Sequence, residues 1–106
     1  MHENQIYKKM KKLCHEEVVL LEADANYTII HFTDGKTLLV SYNLGLMERQ
    51  FSEEIPMIRL NRKFSANLKY LRDFDVDTVL IKNKNINISR RRKESIHSQI
   101  QNYLNA

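Results

Sequence analysis

The sequence predicts a mainly β domain of small antiparallel sheets, with one or two short helices and a helix at the C-terminus. Three observations carry this. A β-branched and aromatic run, residues 27–33, and a largely apolar run, residues 36–40, flank Asp34-Gly35. Asp-Gly between such runs is a strong hairpin signal, because a type I′ turn needs positive φ at both central residues. A second pair of runs, 78–81 and 86–88, flanks the polar step Asn83-Lys84-Asn85. After Ser89, the apolar residues Ile96, Ile100, Tyr103 and Leu104 recur at helical spacing, which marks a helix with a buried stripe.

The elements follow in order. Residues 5–14 carry Ile6, Met10, Leu13 and Cys14 at helical spacing, yet the stretch also suits a Lys-rich edge strand. Val18-Val19-Leu20-Leu21 is a compact apolar run and reads as a buried strand. Leu44, Met47 and Phe51, at i, i+3 and i+7, predict a short amphipathic helix over 43–51, with Gly45 weakening it. Ile55-Pro56 marks a turn, and 57–60 reads as a strand entering Asn61-Arg62-Lys63. Residues 64–71 are mixed, with Asn67 serving a turn or cap. Ser89 is expected to cap the last helix. That places Arg90, Arg91 and Arg92 in its first turn, where the helix dipole favours negative charge. A bound phosphate would offset the misfit, since a helix N-terminus is a natural anion site. No linker or repeat divides residues 1–106, which read as one domain. The expected core is Leu20, Leu21, Ile29, Phe32, Leu39, Val40, Met47, Phe51, Ile58, Leu60, Phe64, Leu68, Leu71, Val79, Ile81, Ile88 and Ile96.

The formal net charge is +4 over 106 residues, and its placement is uneven. Residues 13–58 carry two cations against eight carboxylates, whereas 59–93 carry eleven Lys and Arg against Asp73, Asp75 and Asp77. One third of the chain therefore holds most of the positive field. Such asymmetry favours a polyanionic partner, because phosphate contacts add up through counterion release. The alternative is a basic face that only keeps the protein soluble.

Three separated motifs then resemble one family. Residues Glu22-Ala23-Asp24-Ala25-Asn26-Tyr27, followed by a strand and Asp34-Gly35-Lys36, resemble the first half of LytTR domains of bacterial transcription regulators. The stretch from Ile58-Arg59-Leu60-Asn61-Arg62-Lys63-Phe64 through Asn67-Leu68-Lys69-Tyr70-Leu71 resembles their central signature, with Asn61-Arg62-Lys63 standing where many relatives show His-Arg-Ser. Ile88-Ser89-Arg90-Arg91-Arg92-Lys93 resembles their closing one. The motifs keep the family's order, and the resemblance spans roughly residues 17–104. It implies an elongated fold whose edge loops enter successive major grooves of double-stranded DNA, with two copies reading direct repeats. It also implies a nucleoid-associated regulator, either a response regulator output domain whose receiver domain or sensor partner lies outside these residues or a stand-alone regulator. The single cysteine, Cys14, fits a reducing cytoplasm. Carried over by position, the groove-facing loops are those around Asn26, around Asn61-Arg62-Lys63 and around Arg90-Arg91. Asn26, Asn61, Arg62 and Arg91 are the candidate base contacts, because Arg suits guanine O6 and N7 and Asn pairs with adenine. Lys63, Arg90, Arg92 and Lys93 are the candidate phosphate contacts, which set register without reading sequence.

Other functions find less support. Cys14-His15 and His31 fall short of the three or four ligands zinc takes, so no metal is expected. No glycine-rich phosphate loop, Ser/His/Asp order or paired-carboxylate motif marks an enzyme or a cofactor site. Glu22 and Asp24 read as a surface pair. No apolar run approaches the roughly 20 residues of a membrane span, and the first residues lack a signal-peptide pattern. Two alternatives stay open: a basic β-rich module for RNA or single strands, and a protein-interaction or dimerisation domain. The first wants several exposed aromatics, but there is no Trp and most Phe and Tyr fall on expected core faces.

Overall fold

A computed structural model describes residues 17–106. The segment 5–14, with its helix-or-strand ambiguity, lies outside the described residues, as do Cys14 and His15. Two antiparallel sheets organise the rest. The larger is built from β1 (Val18–Asp24), β2 (Tyr27–Phe32), β3 (Thr37–Val40), β4 (Met57–Arg59) and β5 (Phe64–Asn67), in the order β3-β2-β1-β5-β4. The smaller contains β6 (Leu71–Phe74), β7 (Thr78–Ile81) and β8 (Lys84–Asn87) in sequential order. Helix α1 (Leu44–Ser52) joins β3 to β4, and α2 (Lys93–Leu104) closes the chain. Overall extents are 40 × 28 × 26 Å, the elongated, mainly β arrangement expected.

The run Val18-Val19-Leu20-Leu21 is apolar without alternation because β1 is central and covered on both faces. Val18 and Leu21 join a core with Ile30, Leu44, Met47, Phe51 and Ile55, beneath α1. Val19 and Leu20 face the opposite core, with Ile58, Leu60, Ala66, Leu68, Val79, Ile81, Ile86, Ile88, Ile96 and Ile100. Two adjacent residues point the same way because the β1–β2 register shifts between Val18 and Leu20. That irregularity places an extra residue on β1, as in a β-bulge. The larger core therefore glues the two sheets and α2 together.

Helix α1 forms as its spacing predicts, burying Leu44, Met47 and Phe51. Its N-cap is Asn43, whose Oδ1 accepts a hydrogen bond from the Leu46 amide at 2.9 Å. Strand β5 is not legible as a strand in the mixed stretch 64–71, and β6 begins only at its last residue, Leu71. Asn67 does act as a cap: its Oδ1 accepts from the Lys69 amide at 3.0 Å. Its Nδ2 also donates to the Val18 carbonyl at 2.7 Å, tying β5 to β1 inside the core.

Four expectations are corrected. The 27–40 hairpin forms, but its turn is not type I′, because Gly35 (φ 88°) takes positive φ while Asp34 does not. The Gly35 amide donates to the Phe32 carbonyl at 3.0 Å and the Phe32 amide to the Lys36 carbonyl at 3.0 Å, closing a three-residue loop of the glycine-bulge kind. In the second hairpin the turn is Lys82-Asn83, one residue earlier than predicted, with Lys82 at φ 54° and Lys84 already on β8. Leu39 is not core: β3 is the sheet edge, and Leu39 stands 53% exposed on a face that no described element covers. The stripe of α2 is likewise shorter than expected, since Ile96 and Ile100 are buried whereas Tyr103 and Leu104 are exposed.

Candidate nucleic-acid interface

The site is assembled at one end of the large sheet. Antiparallel pairing of β1 with β5 sets Glu22 opposite Phe64. The β1–β2 turn and the β4–β5 loop therefore emerge side by side. The Ala23 amide donates to the Lys63 carbonyl at 2.7 Å, fastening the two. A second pair of bonds fastens the same loop to the segment after β8. The Asn61 Nδ2 donates to the Asn87 carbonyl at 2.7 Å, and the Ser89 amide donates to the Leu60 carbonyl at 2.8 Å. The three loops singled out in the sequence thus form one continuous edge.

The first loop is a two-residue turn in which Ala25 (φ 54°) sits in the left-handed region, a conformation costing roughly 1–2 kcal/mol for a side chain with a Cβ. Asn26 and Tyr27 beside it are exposed. Tyr27 is 47% exposed.

In the second loop Asn61 is committed to structure. Its Oδ1 accepts from the Lys63 amide at 2.8 Å and the Phe64 amide at 2.9 Å, while its amide group holds Asn87. Arg59 braces the loop from below: its Nε donates to the Asn61 carbonyl at 2.8 Å and Nη2 to the Arg62 carbonyl at 3.5 Å. Its Nη1 is 3.2 Å from Glu48 Oε1 on α1. The sequence reading missed Arg59 and Glu48 as loop supports, because their partnership spans two elements. Arg62, held at the tip, is exposed and its side chain has no hydrogen-bond or ion-pair partner among the described residues.

Lys63 is differently placed. Its Nζ lies 3.5 Å from Glu22 Oε2 and 5.7 Å from the centre of the half-buried Phe64 ring. Glu22 in turn accepts from His31 Nε2 at 2.8 Å, which takes up the histidine considered for a metal. Burial pushes the Glu22 carboxyl upward, but the hydrogen bonds and charges of His31 and Lys63 outweigh it and hold the group below the usual glutamate value.

In the third segment Ser89 does not cap α2. Residues Arg90–Arg92 form a separate 3-10 turn, closed by the Arg92 amide donating to the Ser89 carbonyl at 2.9 Å. Helix α2 begins only at Lys93, with Arg92 at the N-cap position and no side-chain cap bond. The arginines therefore precede the helix rather than occupy its first turn, and their exposed side chains stay at its positive end. All three are exposed, and none takes an ion-pair partner among the described residues. Lys93, by contrast, pairs with Asp77. The neighbouring Asp75 carboxyl is held low by hydrogen bonds from the Thr78 and Asp77 amides and the Thr78 hydroxyl.

A small β domain that lines up rigid loops and unpaired guanidinium groups along one edge belongs in class with modules that grip a phosphate polymer. The comparison with known families makes that class specific. The chain matches the family model described as the LytTr DNA-binding domain over residues 8–101, and it belongs to that DNA-binding family. Its fold is similar to a solved LytTr DNA-binding domain, that of a methyl-accepting/DNA response regulator from Bacillus cereus. The TM-score is 0.66 at 18% identity, with 84% of each chain covered. No curated protein matches significantly. Among the described residues no helix is long and apolar enough to cross a membrane.

Proposed function

We propose that this chain, as one domain, binds double-stranded DNA sequence-specifically to regulate transcription, in the cytoplasm and without catalysing a reaction. The observation that carries the reading is the hydrogen-bonded edge joining Asn26, Arg62 and Arg90–Arg92. Loops stitched to one another keep a fixed spacing, which contact with successive major grooves demands. Arg62, Arg91 and Asn26 read base edges. Asn61 fixes the loop that presents Arg62 through three bonds to backbone partners, with one Nδ2 hydrogen still unspent. Arg90 and Arg92 meet phosphates. Lys63 and Lys93 also face the duplex, but each must share its charge with a protein carboxylate. Two copies occupy direct repeats, and a receiver domain or sensor partner supplies the input.

The test is selection from a random duplex pool, followed by fluorescence anisotropy on the selected duplex and a single-stranded control. The expected result is one enriched short motif, repeated in the same orientation, that binds well ahead of the single strand. Binding without enrichment would reduce the edge to a nonspecific basic patch. Preference for the single strand would sink the duplex reading.

A further inference from the structure

Beyond the loops, α1 and α2 flank an open groove of about 410 Å³ whose walls include Glu48 and Arg49 from α1, Arg92, Ser95 and Gln99 around α2, and Arg59 from β4. Three guanidinium groups and one carboxylate share this space. The carboxylate is already engaged, since Glu48 lies 3.2 Å from Arg59 Nη1. Arg49 and Arg92 have no side-chain partner among the described residues, and both are exposed. The groove also opens at the uncapped start of α2, where Arg92 offers the first-turn amides no acceptor. Like charges gathered in a concave wall raise the local positive potential, and planar guanidinium forks suit phosphoryl oxygens.

We propose that this groove, which shares Arg92 with the DNA-facing edge, is a second oxyanion site, in which Arg49 and Arg92 clasp a phosphoryl group beside the Arg59–Glu48 pair. Arg59 also donates to the Asn61 and Arg62 carbonyls. Occupancy of the groove is therefore felt by the loop that presents Arg62. The phosphoryl group comes either from a flanking DNA backbone phosphate or from a free phosphorylated small molecule. The first source rests on the DNA-binding reading, while the second stands without it.

The experiment titrates the full chain with inorganic pyrophosphate at constant ionic strength, following arginine Nε–H and backbone amide signals by NMR. Saturable shifts at Arg49, Arg59, Arg92 and Ser95 are expected in the natural sequence, and their loss in Arg49→Gln with unchanged thermal stability. Shifts that do not saturate, or that spread evenly over Arg62, Arg90 and Arg91, overturn the proposal. A parallel arm measures duplex affinity of Arg49→Gln. A loss of about threefold to tenfold on every sequence, with a salt slope lower by about one phosphate, assigns the site to the DNA backbone. Unchanged duplex affinity with retained pyrophosphate saturation in the natural sequence assigns it to a free anion. Should the natural sequence bind no duplex at all, the DNA reading fails, and the pyrophosphate arm alone decides the groove.

Discussion

The β4–β5 loop and the Arg90–Arg92 turn lie side by side and carry similar charge, yet they are built in opposite ways. In the loop, the Asn61 side chain makes three hydrogen bonds and Arg59 holds two carbonyls. In the turn, one backbone bond closes the structure, no side chain caps it, and all three arginines point outward. A group that reads a base edge is served by a braced mount such as that of Arg62, whereas the phosphate contacts proposed for Arg90 and Arg92 need charge more than placement. Arg91, proposed as a base reader on the same unbraced turn, takes its final position only against the duplex. The contrast also separates the cations by chemistry. The lysines of this edge, Lys63 and Lys93, lean on Glu22 and Asp77, while Arg62 and Arg90–Arg92 keep their charge for a partner. The charge counted from the sequence overstates what DNA can collect.

The largest effect should come from breaking the braced side. Asn61→Ala strips the loop of its internal scaffold, removing three hydrogen bonds and leaving the part-buried Phe64 amide without this partner, at a cost of about 2 kcal/mol in folding. Thermal unfolding should show the drop, and DNA affinity measured well below the melting point should fall as well. If stability holds, the loop is rigid for another reason. Next, Arg62→Ala and Arg91→Ala should each cost about 1–3 kcal/mol in binding and relax preference at particular base pairs. Folding stability should stay within about 0.5 kcal/mol, as for exposed residues generally. Equal losses on all sequences would strip both of a readout role.

Smaller changes sharpen the lysine–arginine contrast. Arg90→Ala should weaken every duplex alike and lower the log affinity–log salt slope by about 0.9. Lys63→Ala and Lys93→Ala should lower it by visibly less, because each ammonium group is already partly neutralised within the protein. Slopes that fall equally for all three would mean the ion pairs dissolve on binding. The smallest effect concerns pH. The folded Glu22 carboxyl titrates below its unfolded value, so its contribution is present above the ordinary glutamate value and disappears as pH falls through the folded one. The stability difference between the natural sequence and Glu22→Gln should therefore shrink between neutral and acidic pH. A difference that grows on acidification would reverse the assignment.

Much of the fold is legible locally. The Asp34-Gly35 hairpin, the 3.6-residue stripe of Leu44, Met47 and Phe51, and the all-apolar run of β1 each encode their own geometry. Strand β5 does not. Ser65, Ala66 and Asn67 are small or polar, and they are buried only because β1 and β4 flank them and supply hydrogen-bond partners. Leu39 misleads in the reverse direction, since an apolar run marks a strand but cannot say whether a neighbour covers each of its faces. The candidate residues Asn26, Arg62, Arg90, Arg91 and Arg92 do gather on one edge. The supports Arg59 and Glu48, eleven residues apart, carry no local signal of their pairing.

The sequence by itself determined where chain reversals fall, which helix faces are apolar and which third of the molecule is basic, because turn chemistry and periodicity act over a few residues. Only the tertiary structure decided that three loops become one surface and which cations remain unpaired. The bonds responsible join Ala23 to Lys63, Asn61 to Asn87 and Leu60 to Ser89. Each couples positions at least 26 residues apart. Such contacts exist only after strand register brings the partners together.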